Sequence, residues 1–232
     1  MKFRASSLGK LMTNPRSKGE VLSQTTKDYL LELLMENEFG YTKEFWSKYT
    51  EKGKQVEKES IALANSVLGW GLTFEQIEND IQKHLENDYF TGHCDVLTDM
   101  MLCEIKSSYS AGTFMPVFFS DELDNKSYYY QVQAYMDLTG FNTCTLVYTL
   151  VNTPHEIVED EIRREHWKLG LIDEDLDVRH HVQMQHNFDR IPRESRIKAF
   201  EIVKDESTIQ AMKDRIDLCR EYYEQLKSKI NG

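Results

Sequence analysis

Apolar residues recur three and four apart at the end of the chain: Ile209, Met212, Ile216, Cys219, Tyr223, Leu226 and Ile230. That spacing predicts a closing helix with one apolar stripe, of the kind that more often packs on the protein's own sheet than on another subunit. Earlier, Ser6 and Ser7 are N-cap residues for a short helix to about Met12, and the turn residues of 14–19 predict a polar loop. A helix over about Val21 to Glu38, closed by Gly40, comes next. Thr50 opens another that Gly69 ends, and on it Glu57, Ile61, Ala64 and Leu68 share a face. Residues 70–77 and 89–107 are rich in aromatic, β-branched and apolar residues and read as strands. The segment 108–126 reads as irregular, Ser127 as the cap of a helix to Gly140, and Thr143–Val151 as a strong strand. Residues 155–192 are polar and partly helical in pattern, and Arg196–Lys204 reads as a further strand. Helix, strands, helix, strand is the order of an α/β core with a mixed central sheet flanked by helices.

Within 89–107 the pattern carries more than secondary structure. Tyr89–Leu97 and Met101–Ser107 form a hairpin if Asp99-Met100 is a two-residue turn, and Asp95 then lies opposite Glu104. A side-chain period of two puts Lys106 on the face of Glu104, and His93 on the face of Asp95. Cys94, Val96, Cys103 and Ile105 are expected to face the other way. On the helix after the hairpin Tyr128, Gln131 and Tyr135 share a face. They either pack as ordinary interior residues or hold the lysine or phosphates.

A chain of 232 residues can bury a sizeable core, and its 40% apolar and 29% charged content is that of a globular protein. A net charge of −11 argues against a protein that coats nucleic acid, without excluding an enzyme that grips DNA locally. The first 20 residues run the other way, with Lys2, Arg4, Lys10, Arg16 and Lys18 against Glu20 alone. Four scattered cysteines read as buried hydrophobes rather than a zinc site or a disulfide framework. No apolar run is long enough for a bilayer and the N-terminus has no signal-peptide pattern, so a cytoplasmic protein is expected.

Magnesium prefers six oxygens and keeps several waters, so one or two carboxylates suffice to hold it. Asp95, Glu104 and the backbone carbonyl of Ile105 are such donors, and Lys106 beside them can orient a water and offset transition-state charge. Glu57 can serve a second ion if its helix packs beside the hairpin. The competing reading of Asp-x8-Glu-x-Lys is a solvated hairpin with alternating charges. A metal-dependent phosphodiesterase is favoured by its joint occurrence, in order, with the acidic helix before it and the polar helix face after it.

With these motifs the chain resembles the lambda-exonuclease (YqaJ-like viral recombinase) family of PD-(D/E)XK nucleases. Arg4-Ala-Ser6 with Pro15-Arg16-Ser17, Gly53-Lys-Gln-Val-Glu57, Asp95, Glu104-Ile-Lys106 and Tyr128-Tyr-Tyr-Gln131 match in order over 4–151. Gln131-x3-Tyr135 also fits the related RecB-type motif. The resemblance implies a restriction-endonuclease-like core in a single domain, about 1–151 plus 196–230, with 155–192 as a polar insertion. It implies Mg2+-dependent digestion, with Mn2+ able to substitute and two ions bound, of linear duplex DNA from a 5′ end. The 3′ single strand left behind would pass to an annealing recombinase, and the family's ring-shaped trimer would apply. By position Asp95, Glu104 and the Ile105 carbonyl bind metal, Glu57 serves the second ion, Lys106 assists the nucleophile and Gln131 belongs to the catalytic helix. Ser6 is assigned to the 5′ phosphate, with Arg4, Arg16, His93, Tyr128 and Tyr135 as further DNA contacts.

The chain departs from the family at Cys94, where proline is usual before the metal ligand, and at His93, where the family exonuclease has serine. The arginine expected upstream of Ser6 has no counterpart; Lys2 or Arg4 could substitute. A RecB-like or restriction-type endonuclease and a catalytically silent DNA-end-binding module are the alternatives. The histidines of 155–192 (His166, His180, His181, His186) read as loop residues rather than a metal site.

Overall fold

Residues 1–43, 47–78 and 83–231 are described by the structure, a computed structural model. The chain opens with β1 (Phe3–Arg4), a 3-10 turn and the short α1 (Leu8–Leu11), where Ser7 precedes the helix without a side-chain capping bond. After the polar loop, Ser23 caps α2 (Gln24–Phe39) and Gly40 closes it in the left-handed conformation at φ 63°. The single helix expected from Thr50 is two, α3 (Lys48–Gln55) and α4 (Glu57–Leu68), kinked at Val56. Hydrogen bonds run through the kink, from Val56 N–H to Lys52 and from Ser60 N–H to Val56, and both Lys52 and Val56 enter the interior.

The strand expected over 70–77 is instead an irregular stretch followed by α5 (Phe74–Glu78). Thr73 and Gln76 bond each other's backbone N–H reciprocally (3.2 and 2.8 Å), a capping box that overrides the strand propensity of Trp70 and Phe74. Next come β2 (Lys83–Glu86), β3 (Phe90–Cys94), β4 (Val96–Leu97) and β5 (Leu102–Ser107). β2 has no counterpart in the sequence reading; it pairs antiparallel with β3, which pairs parallel with β1. The segment expected to be irregular contains α6 (Ala111–Phe118), started by Thr113 Oγ1 accepting from Ser110 N–H at 3.1 Å. Asn125, two residues before the expected cap, starts α7 (Lys126–Thr139) by accepting from Tyr128 N–H.

β6 (Thr143–Thr149) follows, then α8 (His155–Lys168), α9 (Leu176–His186), β7 (Ile197–Val203) and α10 (Glu206–Asn231). The principal sheet is mixed, in the order β4-β5-β6-β7, with the β5–β6 pair parallel and its neighbours antiparallel. Parallel neighbours need a crossover, and α6 with α7 supplies it. Both faces of β6 are covered: Cys144, Leu146 and Tyr148 lie in a larger core, Val147 in a smaller one beneath α4. The closing stripe is internal, since Ile209, Met212, Ile216 and Cys219 enter the larger core, but α10 lies chiefly on the helices α1, α2 and α7 rather than on the sheet as expected.

α8 and α9 pack on each other through Val158, Ile162 and Val182. Their histidines are largely spoken for. Asp175 N–H donates to His166 Nε2 at 2.8 Å, leaving Nδ1 to donate to the Ile162 carbonyl, and His186 Nδ1 is 2.9 Å from the Thr153 hydroxyl. No helix among the described residues is long and apolar enough to cross a membrane.

One glycine fixes how the N-terminal segment seats on α7. A Cβ on Gly9 would come within 2.9 Å of the Ser127 backbone Cα and into its side chain. Gly9→Ala is therefore expected to destabilise the chain by about 1–3 kcal/mol, the range for overpacking. Urea titration measures it, and a loss under 0.5 kcal/mol would show that α1 shifts freely.

Candidate active site

The hairpin has the register that brings the two acids together. Val96 pairs with Cys103 and Leu97 with Leu102, Thr98 N–H bonds the Met101 carbonyl at 3.0 Å, and Asp99-Met100 is the turn. Asp95 thereby stands opposite Glu104, and its Oδ2 accepts from Ile105 N–H at 2.6 Å. The expected common facing of Cys94 with Val96 does not hold. Cys94 lies in the larger core and Val96 in the smaller, because Asp95 is where the chain leaves one sheet for the other and the period of two breaks.

β5 alternates as its sequence dictates. Cys103 and Ile105 pack toward α4, while Glu104 and Lys106 turn toward α7. Glu104 is 3% exposed. Its Oε1 accepts from Lys106 Nζ at 2.6 Å and from Gln131 Nε2 at 2.7 Å, and Gln131 Oε1 also accepts from Lys106 at 3.2 Å. Gln131 is held in turn by Tyr135, whose hydroxyl lies 3.0 Å from Nε2 and donates to the His93 carbonyl at 2.6 Å. Gly92 leaves room for that ring: a Cβ there would be 3.0 Å from Tyr135 Cε1. The Tyr128 ring lies 4.6 Å from the Lys106 ammonium, a cation–π contact. The polar stripe on α7 thus holds the lysine and the acid.

The electrostatics of this cluster are lopsided. Burial, then the neighbouring Glu104, push the Asp95 carboxyl well above the usual carboxylate range, with Lys106 and the Ile105 N–H opposing. Burial disfavours the Lys106 ammonium, but Glu104 and then Asp95 outweigh it and raise the pKa above that of an ordinary lysine. Two carboxyls and one ammonium leave the site short of positive charge. Among the described residues Glu104 Oε2 is buried without a hydrogen-bond partner, an arrangement that costs free energy unless something cationic meets it.

These groups line a cleft of about 700 Å³ at the C-terminal end of β5. Glu57, Gly53 and Lys54 enter from the kinked helix pair, Thr113 and Val117 from α6, and Tyr128 from α7. Glu57, Asp95, Glu104, Ile105, Lys106 and Tyr128 are therefore brought together. Among the described residues no three His, Cys, Asp or Glu side chains form a ready-made metal cage. Asp95, Glu104 and the Ile105 carbonyl nonetheless fit a hard dication that keeps most of its waters, and the orphaned Oε2 marks where charge is wanting.

Arg4, Ser6, Arg16 and His93 are exposed and outside the lining of this cleft. The His93 ring lies against His84, with centroids 4.8 Å apart. Tyr135, expected at DNA, is buried, because its hydroxyl is committed to the His93 carbonyl and Gln131. The sequence reading missed Tyr49, Lys54, Tyr109, Tyr148 and Phe200 in the lining. Lys54, inside the Gly53-Lys-Gln-Val-Glu57 motif, carried a signal; Tyr49 and Tyr109 flank the motifs without belonging to one, and Tyr148 and Phe200 read as strand residues, so the aromatic residues carried none.

Over 99% of its length the chain superposes on the crystal structure of a phage-related exonuclease from Haemophilus somnus 129PT, covering 96% of it at TM-score 0.75 and 27% identity. An alkaline exonuclease from Laribacter hongkongensis matches over 99% of this chain and 93% of its own, at TM-score 0.64 and 17% identity. The same enzyme in complex with dAMP gives 0.62 and 18%. No family model matches the sequence, and no curated protein matches it. With a mixed sheet flanked by helices and full-length likeness to these exonucleases, the chain has their PD-(D/E)XK-like fold, in line with the resemblance to lambda-exonuclease-like nucleases.

Proposed function

We propose that the chain is a Mg2+-dependent exonuclease that resects linear duplex DNA from the 5′ end and leaves a 3′ single strand for phage-type recombination. The observation that carries the metal-dependent reading is Glu104. Its carboxylate is buried, one oxygen bonds the lysine and glutamine, and the other meets no donor among the described residues. Asp95, Glu104 and the Ile105 carbonyl would hold the ion, and Glu57 would serve a second. Held there, such an ion would supply Lewis acidity to the scissile phosphate and lower the pKa of a nearby water.

The chain's own side chains do the rest. Lys106 keeps its proton, because the two acids beside it favour the ammonium, and it serves as an electrostatic anchor for the attacking oxygen and the transition-state charge. Gln131 holds both Glu104 and Lys106 at fixed separation, so neither has to reorganise when DNA arrives. Tyr128 covers the lysine and offers a ring to the substrate. Arg4, Ser6 and Arg16 sit on the basic N-terminal segment, away from the cleft lining. In this reading they meet the DNA backbone outside the reaction centre.

Blunt duplex bearing 5′ phosphate or 5′ hydroxyl, labelled separately at each end and digested with Mg2+, tests the proposal, with closed circles alongside. Release of the 5′ label first, only from linear DNA and only with the metal, is the expected result. Cut circles would point to an endonuclease, and release of the 3′ label first would reverse the polarity.

A further inference from the structure

Two polar side chains on the kinked helix pair stand on either side of Glu57 and reach the same place in the sheet. Lys52 is fully buried at 0% exposure, and its Nζ donates to the carbonyls of Tyr109 at 3.0 Å and Val151 at 2.8 Å. The buried Ser60 hydroxyl lies 2.7 Å from the Ser107 hydroxyl and accepts from Thr149 Oγ1 at 3.0 Å. Ser107 and Thr149 are the last residues of β5 and β6 and are register partners. Tyr109 and Val151 lie two positions beyond each, where the parallel ladder has ended.

Carbonyls leaving a buried ladder must find donors. Lys52 supplies both, at a cost: burial lowers its pKa to about 7, with Glu59 opposing. Packing alone did not require a lysine there, since Val56, Ile61 and Ala64 already seat the helices on the smaller core. Apolar contacts are non-directional. They leave a helix some freedom to slide, and two sets of directed hydrogen bonds remove it.

We propose that Lys52 and Ser60 are positioning residues, a two-point clamp from the kinked helix pair onto the paired ends of β5 and β6 that fixes how far the Glu57 carboxylate stands from Asp95 and Glu104. The inference rests on reading the cleft as a divalent-cation site. Its test is a double-mutant cycle on the full chain, pairing Lys52→Met or Ser60→Ala with Glu57→Gln. Mn2+ binding by calorimetry, Mg2+-dependent nucleotide release and melting temperature are measured for each variant. Either clamp variant is expected to weaken Mn2+ binding by about tenfold, the lower end for a residue that orients a metal ligand. With Glu57 already replaced, it should weaken binding no further. Equal losses in both backgrounds, or a lower melting temperature with unchanged Mn2+ binding, overturn the clamp. Ser60→Ala removes only a hydroxyl and carries the test if Lys52→Met does not fold. A wild-type chain that neither binds Mn2+ nor releases nucleotide brings down the metal-site reading and the clamp with it.

Discussion

Replacing Glu104 by glutamine is expected to slow Mg2+-dependent nucleotide release about a thousandfold, since a metal's charge stabilisation is worth several kcal/mol and each 1.36 kcal/mol is tenfold in rate. The size follows from the number of tasks this carboxylate performs. One oxygen accepts from Lys106 and Gln131, and the other, unpartnered among the described residues, would be a ligand to the proposed ion. Stability should move the other way. Glu104 is the neighbouring charge that most raises the Asp95 pKa, so removing it relieves like-charge crowding in a buried site. The glutamine variant should therefore melt no lower than wild type in EDTA while being nearly inactive with Mg2+. A variant within tenfold of wild-type rate would show that Glu104 is a structural acid and that the chemistry lies elsewhere.

How much of this was legible depended on whether a residue's role could be expressed as a period. The hairpin register needed only a two-residue turn and alternation, and Asp95 does face Glu104. The closing stripe of α10 needed only its three-and-four spacing. The break at Asp95 was invisible because switching between sheets is a tertiary event, and it sent Cys94 and Val96 into different cores. α5 and α6 were missed for a local reason: each begins with a reciprocal hydrogen bond, Thr73 with Gln76 and Ser110 with Thr113, inside segments whose composition reads as strand or loop. Arg4, Ser6 and Arg16 came from resemblance rather than from local chemistry, and they lie outside the cleft lining. Lys52 illustrates the deepest limit. A lysine in a polar helix reads as solvated, and only the endings of two distant strands reveal what its ammonium is for.

That buried amine should also leave a mark on the stability of the whole chain. Its pKa is about 7 in the folded protein against 10.5 for an unburied lysine. Between those limits the unfolded chain binds a proton that the folded chain does not, so this group makes stability rise with pH; its benefit is complete above 10.5 and gone below about 7. At 1.36 kcal/mol per unit, wild type should gain roughly 2–3 kcal/mol over Lys52→Met between pH 7 and 9. Measuring the difference matters, because other groups oppose it at higher pH. The thiols of Cys94 and Cys103 are pushed by burial from 9.0 to about 12, so the unfolded chain loses those protons first and stability falls above pH 9. Those thiols are common to both proteins and cancel in the comparison. Urea titrations of wild type and Lys52→Met at pH 7, 8 and 9 give the slope directly. A difference that stays flat would mean the ammonium remains charged inside the protein. Two carbonyls and the ring of Phe188, 5.3 Å away, would then be solvating a full cation, and the clamp would be ionic rather than neutral.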